Sequence, residues 1–213
     1  MSFYNELLTA TENERNDLLS IPILRSGVEG EISTETYISF LTQAYHHVKH
    51  TVPLLMFCGS RLPESKEWLR EAIGEYIEEE MGHQEWILND VRTCGGDTDN
   101  VRYGQAALAT ELMVAYVYDM ISRKNPVGFF GMVLVLEGTS IALATQAAGN
   151  LQSKLNLPEK AFSYLVSHGS LDIEHMSFYE KLMNRITDAD DKKAVIHCAR
   201  VIYQLYGDIF RSL

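Results

Sequence analysis

Glu80 and His83 stand three residues apart, and Asp172 and His175 repeat that carboxylate-x-x-His spacing further along the chain. Residues three or four apart share a face of a helix, so each pair aims a carboxylate and an imidazole at one point. Glu79, four residues before His83, offers the same encounter from the adjacent position. His168 extends the second pair: at about 100° per residue, His168, Asp172 and His175 fall within roughly a 60° arc. A further carboxylate, Glu137, sits in Gly-Met-Val-Leu-Val-Leu-Glu-Gly-Thr (131 to 139), where its helical neighbours are apolar side chains or glycine. A charge buried in such a segment needs a partner. Carboxylate-x-x-His on two helices, with inward glutamates from two others, is the donor set with which helix bundles hold a dinuclear metal centre. One such lone glutamate is clear here, and His168, about 10 Å of rise from His175, can take the vacant place. Three imidazoles and three carboxylates suit iron, with manganese as the alternative, better than zinc, whose structural sites prefer four nitrogen or sulfur ligands.

Each piece taken alone has a plainer role. The Glu78 to Glu80 run could be a solvated face, a single histidine such as His46 or His197 is ordinarily a satisfied core or surface residue, and Glu137 could pair with an arginine. Their conjunction on three segments carries the metal reading.

The elements that must hold these residues are helical. Proline punctuates helices, and Pro22, Pro63, Pro126 and Pro158 fall near segment ends. Between them the apolar period predicts helices over about 6–19, 35–58, 64–93, 101–123, 126–155, 159–186 and 190–212. Ser33 or Thr34 caps the second, Gly95-Gly96 ends the third, and the seventh starts in an acidic turn. Pro53 lies inside the second and predicts a kink there. No convincing strand alternation, internal repeat or long linker is present, so the expectation is one all-α domain over 1–213, a bundle of about seven helices.

Composition narrows the partners. The 213 residues include 18 Lys+Arg and 29 Asp+Glu, a net charge of −11 that disfavours nucleic acid and anionic membranes. Three cysteines, Cys58, Cys94 and Cys198, make no paired framework and fit a cytoplasmic setting. Met1 to Thr11 carries Glu6 and no basic stretch, unlike a cleaved leader. The apolar window from Gly128 to Ala148 is interrupted by Glu137, Thr139, Ser140 and Gln146 and reads as a buried helix rather than a membrane span.

Glu-Glu-Met-Gly-His-Gln-Glu-Trp (79 to 86), Val-Leu-Glu-Gly (135 to 138) and Ser-His-Gly-Ser-Leu-Asp-Ile-Glu-His (167 to 175) resemble the heme-oxygenase-like diiron oxidases. These form the iron-containing redox branch of the superfamily that also holds TenA-like thiaminases and the pyrroloquinoline-quinone synthase. The resemblance spans about Tyr37 to Phe210, including Tyr-His-His-Val-Lys-His-Thr-Val-Pro (45 to 53) and the closing Leu-Tyr-Gly-Asp (205 to 208). It implies a heme-oxygenase-like fold, a non-heme site with one or two iron ions, a homodimer, and O2-dependent oxidation of a small organic substrate. The implied ligands are Glu80 or Glu79, His83, Glu137, His168, Asp172 and His175. Several relatives place the first carboxylate seven residues before the third-helix histidine, where this chain has Tyr76. His47 and His50, ahead of the expected kink, are taken with Tyr76 as polar groups of the substrate pocket.

Two other functions compete. A cofactor-free oxidase or thiaminase-like enzyme would use the same histidines and carboxylates as acids and bases. A thiaminase also needs a cysteine nucleophile, and Cys94 sits in an unpromising Cys-Gly-Gly turn. A non-catalytic ligand-binding bundle would gain little from six metal-type residues on three helices.

Overall fold

The computed structural model describes residues 2–213, with the side chains at 168–174 outside the described set. Among the described residues the chain forms twelve α-helices and three short 3-10 turns, without strands. In chain order the helices are α1 (Phe3–Ala10), α2 (Glu12–Leu19), α3 (Pro22–Glu29), α4 (Thr34–Val48), α5 (Thr51–Arg61) and α6 (Glu67–Glu80). They continue with α7 (His83–Thr93), α8 (Thr98–Tyr103), α9 (Leu108–Arg123), α10 (Phe130–Leu155), α11 (Ser163–Arg185) and α12 (Ala189–Arg211).

The seven helical segments expected from the sequence are all present, several of them divided. The expected kink at Pro53 is instead a break at Lys49-His50, and Pro53 occupies the first turn of α5. The displacement has a simple cause. A continuous helix would need the missing Pro53 N–H to reach the Lys49 carbonyl, whereas a first turn needs no such donor. The long third segment breaks at Met81-Gly82, with Gly82 at φ +94, a left-handed conformation that glycine adopts without steric cost. Side-chain caps start other elements: Ser33 accepts from Thr36 N, and Asp188 accepts from Asp190 N and Asp191 N at 2.9 Å each.

The interior comprises two apolar clusters. One joins parts of α1, α5, α6, α9, α11 and α12 to the start of α10 around Phe130, Leu69, Ile73 and Tyr179. The other joins α4 and α7 to the far half of α10 and the start of α11 around Tyr37, Leu41, Ile87 and Phe162. Each fully buried side chain of this size contributes roughly 1.5–3 kcal/mol. The helical stretch from Pro126 to Leu155 is long and apolar enough to cross a membrane, and 67% of its apolar window is buried inside the fold. Its close seating depends on Gly131, where an added Cβ would lie 2.4 Å from Val195 O and 2.6 Å from Ala199 N on α12. Six residues beyond, Glu137 enters the seam between the two clusters.

Candidate metal centre and cavity

Two buried carboxylate-imidazole pairs, Glu80 with His83 and Glu137 with His175, stand along that seam, and the glutamate of each lines one cavity. Glu80, the last residue of α6, places Oε2 3.1 Å from Nδ1 of His83, the first residue of α7. The carboxylate-x-x-His spacing therefore works across a break, with Gly82 turning the chain so that both side chains enter the interior. On α11, His175 Nε2 lies 2.9 Å from Glu79 Oε2, and His175 Nδ1 lies 3.8 Å from Glu137 Oε1. Glu80, His83, Glu137 and His175 are all buried. Glu79 is half exposed and reaches the group from its rim.

Aromatic neighbours fix the imidazoles. His83 stacks on Trp86 at 4.0 Å between ring centroids, and His175 meets Tyr76 edge-on at 6.0 Å. One turn beyond His175, Tyr179 donates from its hydroxyl to Phe130 O at 2.7 Å, pinning α11 to the start of α10. Burial pushes the Tyr179 phenol well above its ordinary range, with Tyr76 and Glu137 adding to the shift, so the phenol keeps the proton that this bond requires. The start of α11 is held by Asp90 of α7. Its carboxylate accepts from Ser163 N at 3.1 Å, from Ser163 Oγ, and from Tyr164 N at 2.8 Å. Burial raises the Asp90 carboxyl, and these hydrogen bonds oppose the rise.

A cavity of about 690 Å3, counted with its mouth, adjoins the group and is lined by Glu80, Glu137, Tyr76 and His47 together with Thr51, Leu55, Met132, Val133 and Leu136. His47 packs edge-on against Tyr206 at 5.9 Å. His50 is not part of this cavity. The break at Lys49-His50 turns it toward a cleft with His46, Lys49 and Thr110, where its Nδ1 is 3.2 Å from Tyr118 OH. The expected grouping of His47 with His50 therefore does not occur. His168 and Asp172 have side chains outside the described residues.

Ser140, Tyr164 and Tyr206 also line the cavity, and sequence reasoning did not select them. Tyr206 belongs to the closing Leu-Tyr-Gly-Asp segment, which was the only signal available. Ser140 stands three residues beyond Glu137, on the same face of α10.

Among the described residues, no three donors are gathered tightly enough to enclose an ion. They stand as carboxylate-imidazole pairs drawn from four helices, and the donor types fit iron. Buried carboxylates ligate a hard cation, imidazole suits iron, and one glutamate of each pair lines the same cavity.

Residues 38–207 match the family model described as iron-containing redox enzyme. No curated protein matches the chain significantly in sequence. Solved structures match it over nearly its whole length. A domain of unknown function with a heme oxygenase-like fold from Shewanella denitrificans OS217 superposes with a TM-score of 0.87 at 20% identity, covering 98% of this chain and 90% of its own. Heme oxygenase from Leptospira interrogans gives 0.79 at 17% identity, covering 100% of each chain. A TenA homologue from Pseudomonas syringae pv. tomato DC3000 gives 0.79 at 8% identity, covering 99% and 93%. Likeness at these identities establishes the heme-oxygenase-like fold.

Proposed function

Because the chain belongs to the iron-containing redox enzyme family, we propose that it is an O2-dependent non-heme iron oxidase acting on a small organic substrate in the bundle core. The observation that carries this reading is the buried pairing of Glu80 with His83 and of Glu137 with His175, beside a cavity that both glutamates line. These four would hold the iron, joined by His168 and Asp172 from α11, with Glu79 standing against His175 from the rim. Ferrous iron bound there would activate O2, the oxidant that accepts the electrons and hydrogen withdrawn from the substrate.

The chain's own residues perform the remaining work. Glu80 and Glu137 would enter the centre as carboxylates, the form in which such groups bind a metal. Met132, Val133, Leu136 and Leu55 give the cavity an apolar wall, and a substrate that displaces water from it strengthens every polar interaction within. His47 and Tyr76 present an imidazole and a phenol to the substrate in that apolar setting.

A thiaminase-like mechanism finds no support in the cysteines. None of the three lines the cavity. Burial pushes the thiols of Cys58 and Cys198 up to about 12 and that of Cys94 up to about 11, far from the thiolate a nucleophile requires. Anaerobic titration with ferrous iron, followed by exposure to O2, tests the proposal. One to two iron ions per chain and an O2-dependent spectroscopic change are expected. Uptake well below one ion per chain with no such change overturns it in favour of cofactor-free acid-base chemistry by the same pairs.

A further inference from the structure

A second cavity lies against the first, roofed by α3 and walled by α4, the middle of α10 and the end of α12, with an empty volume of about 730 Å3 including its mouth. Its lining is predominantly apolar, with Leu24, Val28, Leu143, Ala147, Leu151 and Phe210 prominent. Ser140, Tyr164 and Tyr206 line both cavities, so the two spaces share one wall. Ser140 Oγ is enclosed in that wall and makes no hydrogen bond among the described residues. An enclosed hydroxyl without a partner is costly, and a polar group of a ligand passing the wall would relieve that cost.

The roof explains why the space persists. None of α3's residues is fully buried, although Ile23, Leu24 and Val28 line the cavity. The far end of α3 is tied to α10 by Asn150 Nδ2, which donates to Val28 O at 2.7 Å. Gly30 follows in the left-handed conformation, where a Cβ would meet Asn150 O at 2.9 Å. The helix is thus anchored at its end while its apolar side chains border a void.

We infer that the two cavities bind one amphipathic molecule, whose reacting polar end sits beside Glu80 and Glu137 and whose elongated apolar remainder lies beneath α3. Ser140, Tyr164 and Tyr206 form the collar at the junction and select where the polar end stops. That this molecule is a substrate rests on the oxidase reading, and its amphipathic shape rests on the cavities alone. A small, uniformly polar substrate would leave the apolar walls in contact with water, which is unfavourable in proportion to their area.

Binding of n-alkan-1-ols from hexan-1-ol to decan-1-ol to the metal-free protein, measured by calorimetry, tests the shape directly. Affinity is expected to rise about fourfold per added methylene, with a negative heat-capacity change. Leu143→Trp fills the α3-roofed cavity without touching the lining of the other, and should flatten the chain-length series while leaving ferrous iron uptake unchanged. Ala147→Phe does the same if the tryptophan variant fails to fold. A wild-type protein that takes up iron but shows no chain-length dependence overturns the amphipathic substrate and leaves the oxidase reading standing. A chain-length series that survives both filling variants places the apolar part elsewhere and also overturns the inference. Chain-length dependence in a protein that takes up no iron sustains the cavity assignment and overturns the oxidase reading instead.

Discussion

Glu79 reaches from the last turn of α6 to His175 on α11, bringing Oε2 to 2.9 Å from Nε2 while 51% of its side chain remains exposed. Its neighbour Glu80 turns inward, with Oε2 3.1 Å from His83 Nδ1 and only 10% of its side chain exposed. Successive helical residues point about 100° apart, so one glutamate closes the rim as the other lines the cavity. Solvent screens the outer pair and leaves it little energy of its own. Glu79→Gln is expected to lower ferrous iron affinity by about tenfold, in the range of an outer-shell partner, and Glu80→Gln by substantially more. Anaerobic iron titrations of the two variants compare them. A larger loss in the Glu79 variant would make Glu79 the ligand.

Glu137 carries a carboxylate among Val133, Leu134 and Met132 in the buried half of α10. Replacing both partners of a buried pair by apolar groups is often neutral or stabilising, whereas removing one partner is destabilising. Glu137→Leu takes from His175 the carboxylate 3.8 Å from its Nδ1 and should lower the stability of the metal-free fold by about 1–3 kcal/mol. The same change should abolish tight iron binding. Melting curves and iron titration examine both halves, and a markedly destabilised variant with normal iron uptake would show that Glu137 serves only as a structural partner of His175.

Acid sensitivity should arise at the break between α4 and α5. Burial lowers the affinity of His46 for a proton, with further lowering from Lys49 and His50; burial and then Lys49 do the same for His50. Lys49 Nζ lies 3.1 Å from His46 Nδ1, a contact that suits the neutral ring. The unfolded chain protonates these imidazoles near their ordinary value of about 6.5, and the folded chain only at lower pH. Their contribution to stability is thus intact above about pH 6.5 and is lost as pH falls through the folded values. Melting temperature should decline between pH 7 and pH 5, and less steeply in His46→Gln and His50→Gln. An identical slope in all three proteins would locate the acid response elsewhere.

Much of this was legible from periodicity, because long amphipathic stretches read the same in isolation as in a bundle. The breaks were harder to see. Nothing in Glu78-Glu79-Glu80-Met81-Gly82-His83 forbids a continuous helix, since a single interior glycine is tolerated, and tertiary packing decides that Gly82 adopts φ +94. Glu80 and His83 meet regardless, because one turn of helix and one glycine bend both bring such residues together. His50 was misplaced for the related reason that Pro53 acts four residues upstream, at Lys49, rather than at its own position. Ser140, Tyr164 and Tyr206 escaped notice because periodicity tells which face is inward and does not tell where the interior is hollow.

Asp90 offers a test of the frame that places α11. Its carboxylate accepts three hydrogen bonds from Ser163 and Tyr164, performing from α7 the capping role that Phe162, at the head of α11, lacks the side chain to perform. Asp90→Ala strips the acceptor from three donors at once in a buried setting, at a cost of roughly 3 kcal/mol. For a chain of this length that corresponds to a fall in melting temperature of about 6–12 °C. Asp90→Asn retains one carbonyl acceptor and should lose about half as much. Iron affinity should fall along with stability in the alanine variant although Asp90 lies outside the cavity lining, because the start of α11 sets where Tyr164 and His175 stand. Thermal melts with parallel iron titrations measure the coupling, and an alanine variant that melts with the wild type would show that α10 alone holds α11 in register.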